Sequence, residues 1–284
     1  MTLPQFVLVG VPRSGTTSLY QYLRQHPGLD LSDRKEINFL AYPGEEMARR
    51  DFPWLRFEVR TLADYEALYD DGEGDRVTVD FSASCFRSPV AIERIGRFVP
   101  DARLFVLLRD PVGRAWSAYL NRVRKGYETR PPDEALVPGE RAVDNGFYNE
   151  RLVALRRAFG PDRVRVWLFD DLIAQPRATV AEIFGYLGVD PSVEIDVAAV
   201  YNKASVPRAG LAQRLLPSYD RRKRLAAALP APVRGVARQV WRQTQAPAPV
   251  LAPEVAARLR SHYADDVRRL QDLLDRDLRT WLPA

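Results

Sequence analysis

An arginine, a run of hydroxyl residues and two glycines stand together near the start of the chain: Gly10-Val-Pro-Arg13-Ser14-Gly15-Thr16-Thr17-Ser18. These types at this spacing suit anion chemistry. The apolar run Phe6-Val7-Leu8-Val9 ahead of them reads as a buried parallel strand. Leu19, Tyr22 and Leu23 behind them predict a helix beginning near Gly15. A strand, a Gly-x-x-x-x-Gly turn and a helix N-terminus direct free backbone N–H groups and the positive end of the helix dipole at one anion. A triphosphate loop carries Lys directly after its second glycine, reaching the β and γ phosphates. Here Thr16-Thr17 follow Gly15, and the cation sits inside the loop as Arg13. The loop therefore suits a shorter anion with a leaving group beside the cation.

Two further clusters stand beyond strand ends. The run Arg103-Leu-Phe-Val-Leu-Leu108 predicts a second buried strand, ending in Arg109-Asp110-Pro111, with Pro111 in the first turn of a new helix. Along that helix Arg114, Ser117, Asn121 and Arg124 fall three and four apart and share one face, with Trp116, Tyr119, Leu120 and Val123 opposite. A basic and polar stripe just past a strand end is a second anion site. Leu29-Asp-Leu31 predicts a short strand after His26-Pro27-Gly28. If that strand is parallel to the first, Lys35-Glu36 lies at the ligand-binding edge of an open sheet.

The stretch P-R-S-G-T-T-S-L-Y resembles the 5′-phosphosulfate loop of the sulfotransferases that use 3′-phosphoadenosine 5′-phosphosulfate (PAPS). The stretch R-D-P-V-x-R-A-x-S-x-Y, from Arg109 to Tyr119, resembles the 3′-phosphate motif of the same family. Lys35, Glu36 and Phe39 match its K-E-x-x-F-F segment, with Leu40 in place of the last Phe. Asp80 and Ser82 resemble its G-E-x-S-x-x-Y segment, although Phe81 stands where heparan-type members carry Lys. Many members have His where Asn121 stands, just beyond the 3′-phosphate motif, and Gly146 to Leu152 resembles the family's G-x-Y-x-x-x-L segment. Tyr201 to Arg208 is similar to a loop that closes over the cofactor's 3′ end.

The resemblance implies sulfuryl transfer from PAPS to a hydroxyl or amine of a small-molecule, glycan or lipid acceptor, leaving adenosine 3′,5′-bisphosphate. It implies that Arg13, Ser14, Gly15, Thr16, Thr17 and Ser18 hold the 5′-phosphate, that Arg109 and Ser117 hold the 3′-phosphate, and that Lys203 or Arg208 adds a cation there. Arg13 would stabilise charge on the bridging oxygen and Glu36 would take the acceptor's proton. No metal is called for, since fixed cations cover both anionic ends. A small-molecule kinase of the P-loop type stays open as a second reading, and a non-catalytic nucleotide- or membrane-binding module as a third.

Composition bounds the rest. The chain has 284 residues, 46% of them hydrophobic, which is enough for one large α/β domain. A formal charge of +5 fits an anionic ligand without pointing to nucleic acid. Cys85 is the single cysteine, so an internal disulfide is excluded, and with His26 and His262 the only histidines the sequence does not point to a Cys/His metal site. The start, Met1-Thr-Leu-Pro-Gln5, lacks a basic segment and no apolar run reaches 18 residues, which predicts a cytoplasmic protein.

Elsewhere the sequence predicts a third strand at Arg76–Asp80, a helix at Ser88–Phe98, and a surface loop over Gly126–Val143. It predicts a helix from Gly146, a strand at Arg163–Leu168, and Asp170 and Asp171 as helix caps. A helix at Ala178–Leu187 closed by Gly188 and a last helix at Glu254–Leu274 complete the list. The basic stretch 211–245, within a lid-like segment 208–250, reads first as a solvated helix pair, with a lid over the acceptor or a surface helix at an anionic membrane as the alternatives. The expected fold is a single α/β domain over 1–284, with a central parallel sheet flanked by helices, like the P-loop nucleotide kinases.

Overall fold

The computed structural model describes residues 3–52, 55–69, 75–198, 205–207 and 245–283. In chain order the elements are β1 (Phe6–Gly10), α1 (Thr16–Leu23), β2 (Leu29–Leu31), α2 (Glu45–Asp51), α3 (Leu62–Glu66), β3 (Val77–Phe81), α4 (Ala91–Phe98) and β4 (Arg103–Leu108). They continue as α5 (Pro111–Lys125), α6 (Pro132–Ala135), α7 (Arg141–Asp144), α8 (Asn149–Phe159), β5 (Val164–Leu168), α9 (Phe169–Ala174) and α10 (Pro176–Leu187). Last come β6 (Ser205–Pro207), β7 (Gln245–Pro247) and α11 (Pro253–Leu274). These elements group into two units. One comprises Met1–Asp110, Tyr148–Asn202 and Asp272–Asp275; the other comprises Pro111–Phe147, Lys203–Gln271 and Arg276–Ala284.

The first unit is built on a five-stranded sheet of order β2-β3-β1-β4-β5. Every neighbouring pair is parallel, which is the α/β fold the sequence predicts. β1 lies at the centre and all five of its residues are buried, which is why it reads as an unbroken apolar run. Phe6 and Leu8 pack with Leu19 and Leu23 of α1 and with Ile183, Phe184 and Leu187 of α10. Val7 and Val9 face the other side of the sheet by strand alternation. Each such fully buried side chain contributes about 1.5–3 kcal/mol. Because the strands are parallel, the segments after β1, β2, β3 and β4 all leave the sheet at one edge.

Helix ends follow their local chemistry with one correction. Gly188 closes α10 in the left-handed region at φ 78°, as predicted. α9 begins one residue before Asp170, so Asp170 and Asp171 occupy its first turn rather than its cap. There they complement the helix dipole.

The second unit contains α5, α6, α7, α11 and the antiparallel pair β6–β7. The predicted surface loop over Gly126–Val143 instead holds α6 and α7, and it buries Glu128, Leu136 and Val143. Tyr263 of α11 is fully buried and donates to the Val143 carbonyl at 2.8 Å. Gly146 is required beside it, since a Cβ there would lie 2.7 Å from the Tyr263 ring. On α5 the predicted division of faces gives way: Arg114 and Ser117 are buried together with Tyr119 and Leu120, while Trp116 and Val123 are half-buried. Arg114 donates to the Ala142 carbonyl, and Asn121 accepts from Arg124 at 3.0 Å. Lys203 and residues 208–244 of the expected lid-like segment, with Arg208, lie outside the described residues. Among the described residues no helix is long and apolar enough to cross a membrane.

Candidate active site

The first unit places the Arg13–Ser18 loop at the carboxyl end of β1. Two of its residues adopt left-handed backbone, Arg13 at φ 78° and Gly15 at φ 82°. For arginine that conformation is costly, and such residues persist where the surroundings hold them. Gly15 is needed for a second reason: a Cβ there would lie 2.5 Å from the Phe169 ring. Gly10 is equally constrained, because a Cβ would meet Phe86 Cβ at 2.5 Å. α1 then starts at Thr16, with no side-chain cap and no acidic residue in its first turn. Its leading N–H groups lack intrahelical acceptors, as at every helix start.

Ser14 is fully buried and, among the described residues, its Oγ has no hydrogen-bond partner. A buried hydroxyl without a partner costs about 1–3 kcal/mol unless a ligand satisfies it. The loop with its turned backbone, its arginine, the Ser14 hydroxyl and the uncapped helix start fits a bound phosphate ester. Thr16 is buried, while Thr17 and Ser18 are half-buried along the same turn.

Lys35 and Glu36 follow β2 at the same sheet edge, as predicted. Tyr20 of α1 holds the start of this segment, donating to the Ser32 carbonyl at 2.7 Å. Lys35 Nζ lies 2.9 Å from Glu36 Oε1 and 3.5 Å from Thr16 Oγ1, so the segment reaches the first turn of α1. Glu36 Oε2 is buried without a partner, although the side chain as a whole is 31% exposed. One carboxylate oxygen is therefore held by an ammonium and the other is uncommitted, in a side chain that solvent reaches. His26, the nearby alternative base, is used by the turn: its Nδ1 accepts from the Gly28 N–H at 3.0 Å and its Nε2 lies 3.0 Å from the Asp190 carbonyl.

Arg109 leaves β4 at this edge and its Nη1 donates to the Arg13 carbonyl at 3.2 Å. Its guanidinium lies 4.7 Å from the centre of the Phe169 ring, and its own carbonyl accepts from Tyr148 Oη at 3.0 Å. The residue expected at the 3′-phosphate thus also supports the Arg13 loop. Ser117 belongs to the second unit, buried on α5.

Behind this edge, sequence reasoning noted Asp80 and Ser82 by resemblance but gave them no role and missed their bonds to Tyr65 and Asn38. Asp80, at the end of β3, is fully buried. Its Oδ1 accepts from Ser82 Oγ and its Oδ2 from Tyr65 Oη, each at 2.6 Å. Ser82 Oγ in turn accepts from the Asn38 N–H at 3.0 Å. Burial raises the Asp80 carboxyl to about 6; the Ser82 and Tyr65 hydroxyls pull it down and the nearby Glu36 adds to the rise. The signal available in sequence was an aspartate inside an otherwise strand-forming run, Val77-Thr-Val-Asp80-Phe. Phe81 is 1% exposed and packs edge-on against Tyr20 and Phe105, so its position belongs to the core.

Comparison with known proteins agrees with the fold. The chain is 28% identical over 201 residues to human heparan sulfate glucosamine 3-O-sulfotransferase 3B1, covering 66% of this chain and 46% of that protein. It spans about half the length of the 3-O-sulfotransferases it matches and 24% of the length of the bifunctional heparan sulfate N-deacetylase/N-sulfotransferases. The crystal structure of a sulfotransferase from Alicyclobacillus acidocaldarius superposes with a TM-score of 0.73 at 24% identity, over 99% of both chains. The sulfotransferase domain of the Synechococcus PCC 7002 olefin synthase superposes with a TM-score of 0.52 at 19% identity, over 98% of this chain and 97% of that one. The profile of the sulfotransferase family matches residues 49–192, half of the chain. The chain belongs to the sulfotransferase family.

Proposed function

We propose that the protein transfers a sulfuryl group from PAPS to a hydroxyl or amine of a small-molecule, glycan or lipid acceptor. The observation that carries the reading is the meeting, at one sheet edge, of a phosphate loop with an unpartnered buried Ser14 hydroxyl and of Glu36 with one uncommitted oxygen. PAPS, when bound, supplies an activated sulfuryl group on its 5′-phosphate. Backbone N–H groups from Ser14 to Thr17, with the Ser14, Thr16, Thr17 and Ser18 hydroxyls, hold the 5′-phosphate. Arg13 offsets negative charge on the oxygen that departs. Glu36 accepts the acceptor's proton at Oε2 while Lys35 holds Oε1 in place.

Arg109 and Ser117 are assigned to the 3′-phosphate, which distinguishes this cofactor from ATP, and Arg208 is kept as a further cation for it. The relatives are named for heparan sulfate glucosamine. In this chain the position where heparan-type members carry Lys is the buried Phe81, which favours an acceptor less anionic than that polysaccharide.

The test has two parts. Adenosine 3′,5′-bisphosphate should raise the melting temperature well above the effect of ATP with Mg²⁺, and labelled PAPS should transfer its label to one member of an acceptor panel. Equal shifts from both nucleotides, or a requirement for Mg²⁺, would favour phosphoryl transfer instead.

A further inference from the structure

We infer that Asp80, acting through the Ser82 hydroxyl, is a positioning residue that fixes the backbone on which Glu36 is presented. The inference rests on the proposed role of Glu36 and adds a residue to that site.

Glu36 has little of its own to hold it. Its Oε2 is buried without a partner and, among the described residues, its only ion pair is with the adjacent Lys35, which moves with the same backbone. Its placement therefore comes from the residues that follow. Ile37 is 2% exposed and Asn38 4% exposed, and Asn38 sits in left-handed backbone at φ 60°. Asparagine enters that region more readily than other side chains do, and hydrogen bonds to distant segments hold it there. The support is specific. The Asn38 N–H donates to Ser82 Oγ at 3.0 Å, and Asn38 Nδ2 donates to the Arg56 carbonyl at 3.3 Å.

Ser82 can serve as the acceptor because its own hydrogen is taken by Asp80 Oδ1 at 2.6 Å, which turns a lone pair toward Asn38. The second Asp80 oxygen accepts from Tyr65 Oη at 2.6 Å. Burial, with Asp80 next, pushes the Tyr65 hydroxyl well above its ordinary value, so it stays a donor. Ser82 is itself anchored to the sheet, its N–H donating to the Leu8 carbonyl of β1 at 3.1 Å. The chain of bonds thus runs from the central sheet through a buried carboxylate to the residue two places after Glu36. Both Asp80 oxygens are taken by hydroxyls rather than by a cation. A buried carboxylate in that state is costly, which is why its presence points to a task at this edge.

The experiment compares wild type, Ser82→Ala and Asp80→Asn. Amide hydrogen exchange at Asn38, the affinity for adenosine 3′,5′-bisphosphate, the melting temperature and the turnover with labelled PAPS are measured for each. Expected are faster Asn38 exchange in both variants, affinity within about two-fold of wild type, and turnover lowered about ten-fold or more. Asp80→Asn should keep its melting temperature within a few degrees, since it removes a buried charge and retains the shape. An unchanged Asn38 exchange rate overturns the inference whatever the activity. So does full turnover in both variants, or a joint collapse of melting temperature and nucleotide affinity in both, which would mark the network as general scaffolding. If wild type transfers no label to any acceptor, the proposed function fails, and the exchange rates still decide whether Asp80 and Ser82 hold this segment.

Discussion

The guanidinium of Arg109 donates to the backbone carbonyl of Arg13 at 3.2 Å, tying the end of β4 to the phosphate loop after β1. Phe169 completes the arrangement, lying against the Arg109 guanidinium and against Gly15. One arginine thus bears on the geometry of the loop as well as on any ligand near it. This changes what its removal should do.

Arg109→Ala should weaken adenosine 3′,5′-bisphosphate binding about ten- to a hundred-fold, since a hydrogen bond to a charged group is worth about 1.5–3 kcal/mol. It should also weaken adenosine 5′-phosphosulfate, which lacks the 3′-phosphate, because the Arg13 carbonyl loses its support. Ser117→Ala should weaken only the bisphosphate. Calorimetric titration of both ligands against both variants checks this. If Arg109→Ala leaves adenosine 5′-phosphosulfate untouched, the bond to Arg13 does not shape the loop.

Much of this edge can be read from the sequence, because it is made of local signals. The apolar run of β1, the turn around Gly15 and the spacing in α1 are each decided within a dozen residues. The parallel order of the strands follows from apolar runs separated by helices. The missing parts are contacts between distant segments. Tyr65 reaches Asp80 over 15 positions, Ser82 reaches Asn38 over 44, and Arg109 reaches Arg13 over 96, and no periodicity encodes such pairs. The burial along α5 was not legible for a related reason. Spacing shows which residues share a face, but not that the face bearing Arg114 and Ser117 is buried.

Gly15→Ala should cost stability and nucleotide binding together. An alanine at φ 82° carries a left-handed backbone cost of about 1–2 kcal/mol. Its Cβ would also press on the Phe169 ring, which in turn faces Arg109. A melting temperature lowered by about 3 °C or more, with bisphosphate affinity reduced at least ten-fold, is the expected result. Thermal shift with and without ligand measures both. Wild-type affinity in the alanine variant would show that the loop tolerates a side chain there.

Glu36→Gln should keep bisphosphate affinity and lose transfer by about 10²–10⁴, the usual cost of removing a general base. Glutamine keeps the size and an acceptor oxygen but cannot take a proton. His26→Asn is the control. Its ring is bonded to Gly28 and Asp190 and packs edge-on against Phe184 at 4.5 Å, so its loss should lower stability more than turnover. Turnover of the two variants under one acceptor decides between them. A fully active Glu36→Gln with an inactive but folded His26→Asn would move the base to His26.

The pH dependence of stability isolates Asp80. Its carboxyl is raised from an ordinary 3.8 to about 6, chiefly by burial. The groups around it are Glu36, whose charge adds to the rise, the Ser82 and Tyr65 hydroxyls, which oppose it, and the Tyr69 hydroxyl and Cys85 thiol, both held protonated by burial. In this window the folded state binds the proton more tightly than the unfolded state does. Stability therefore falls as pH rises from about 4 to about 6 and is level on either side. The full difference is of order 3 kcal/mol. Asp80→Asn removes the titrating group and with it that slope. It also leaves one of the two hydroxyls without an acceptor, at a cost of about 1–3 kcal/mol, so the variant should be less stable than wild type near pH 4 and close to it near pH 8. Urea unfolding of both proteins at intervals from pH 4 to pH 8 measures the difference directly. A gap between them that stays constant across the window would mean that Asp80 does not titrate there.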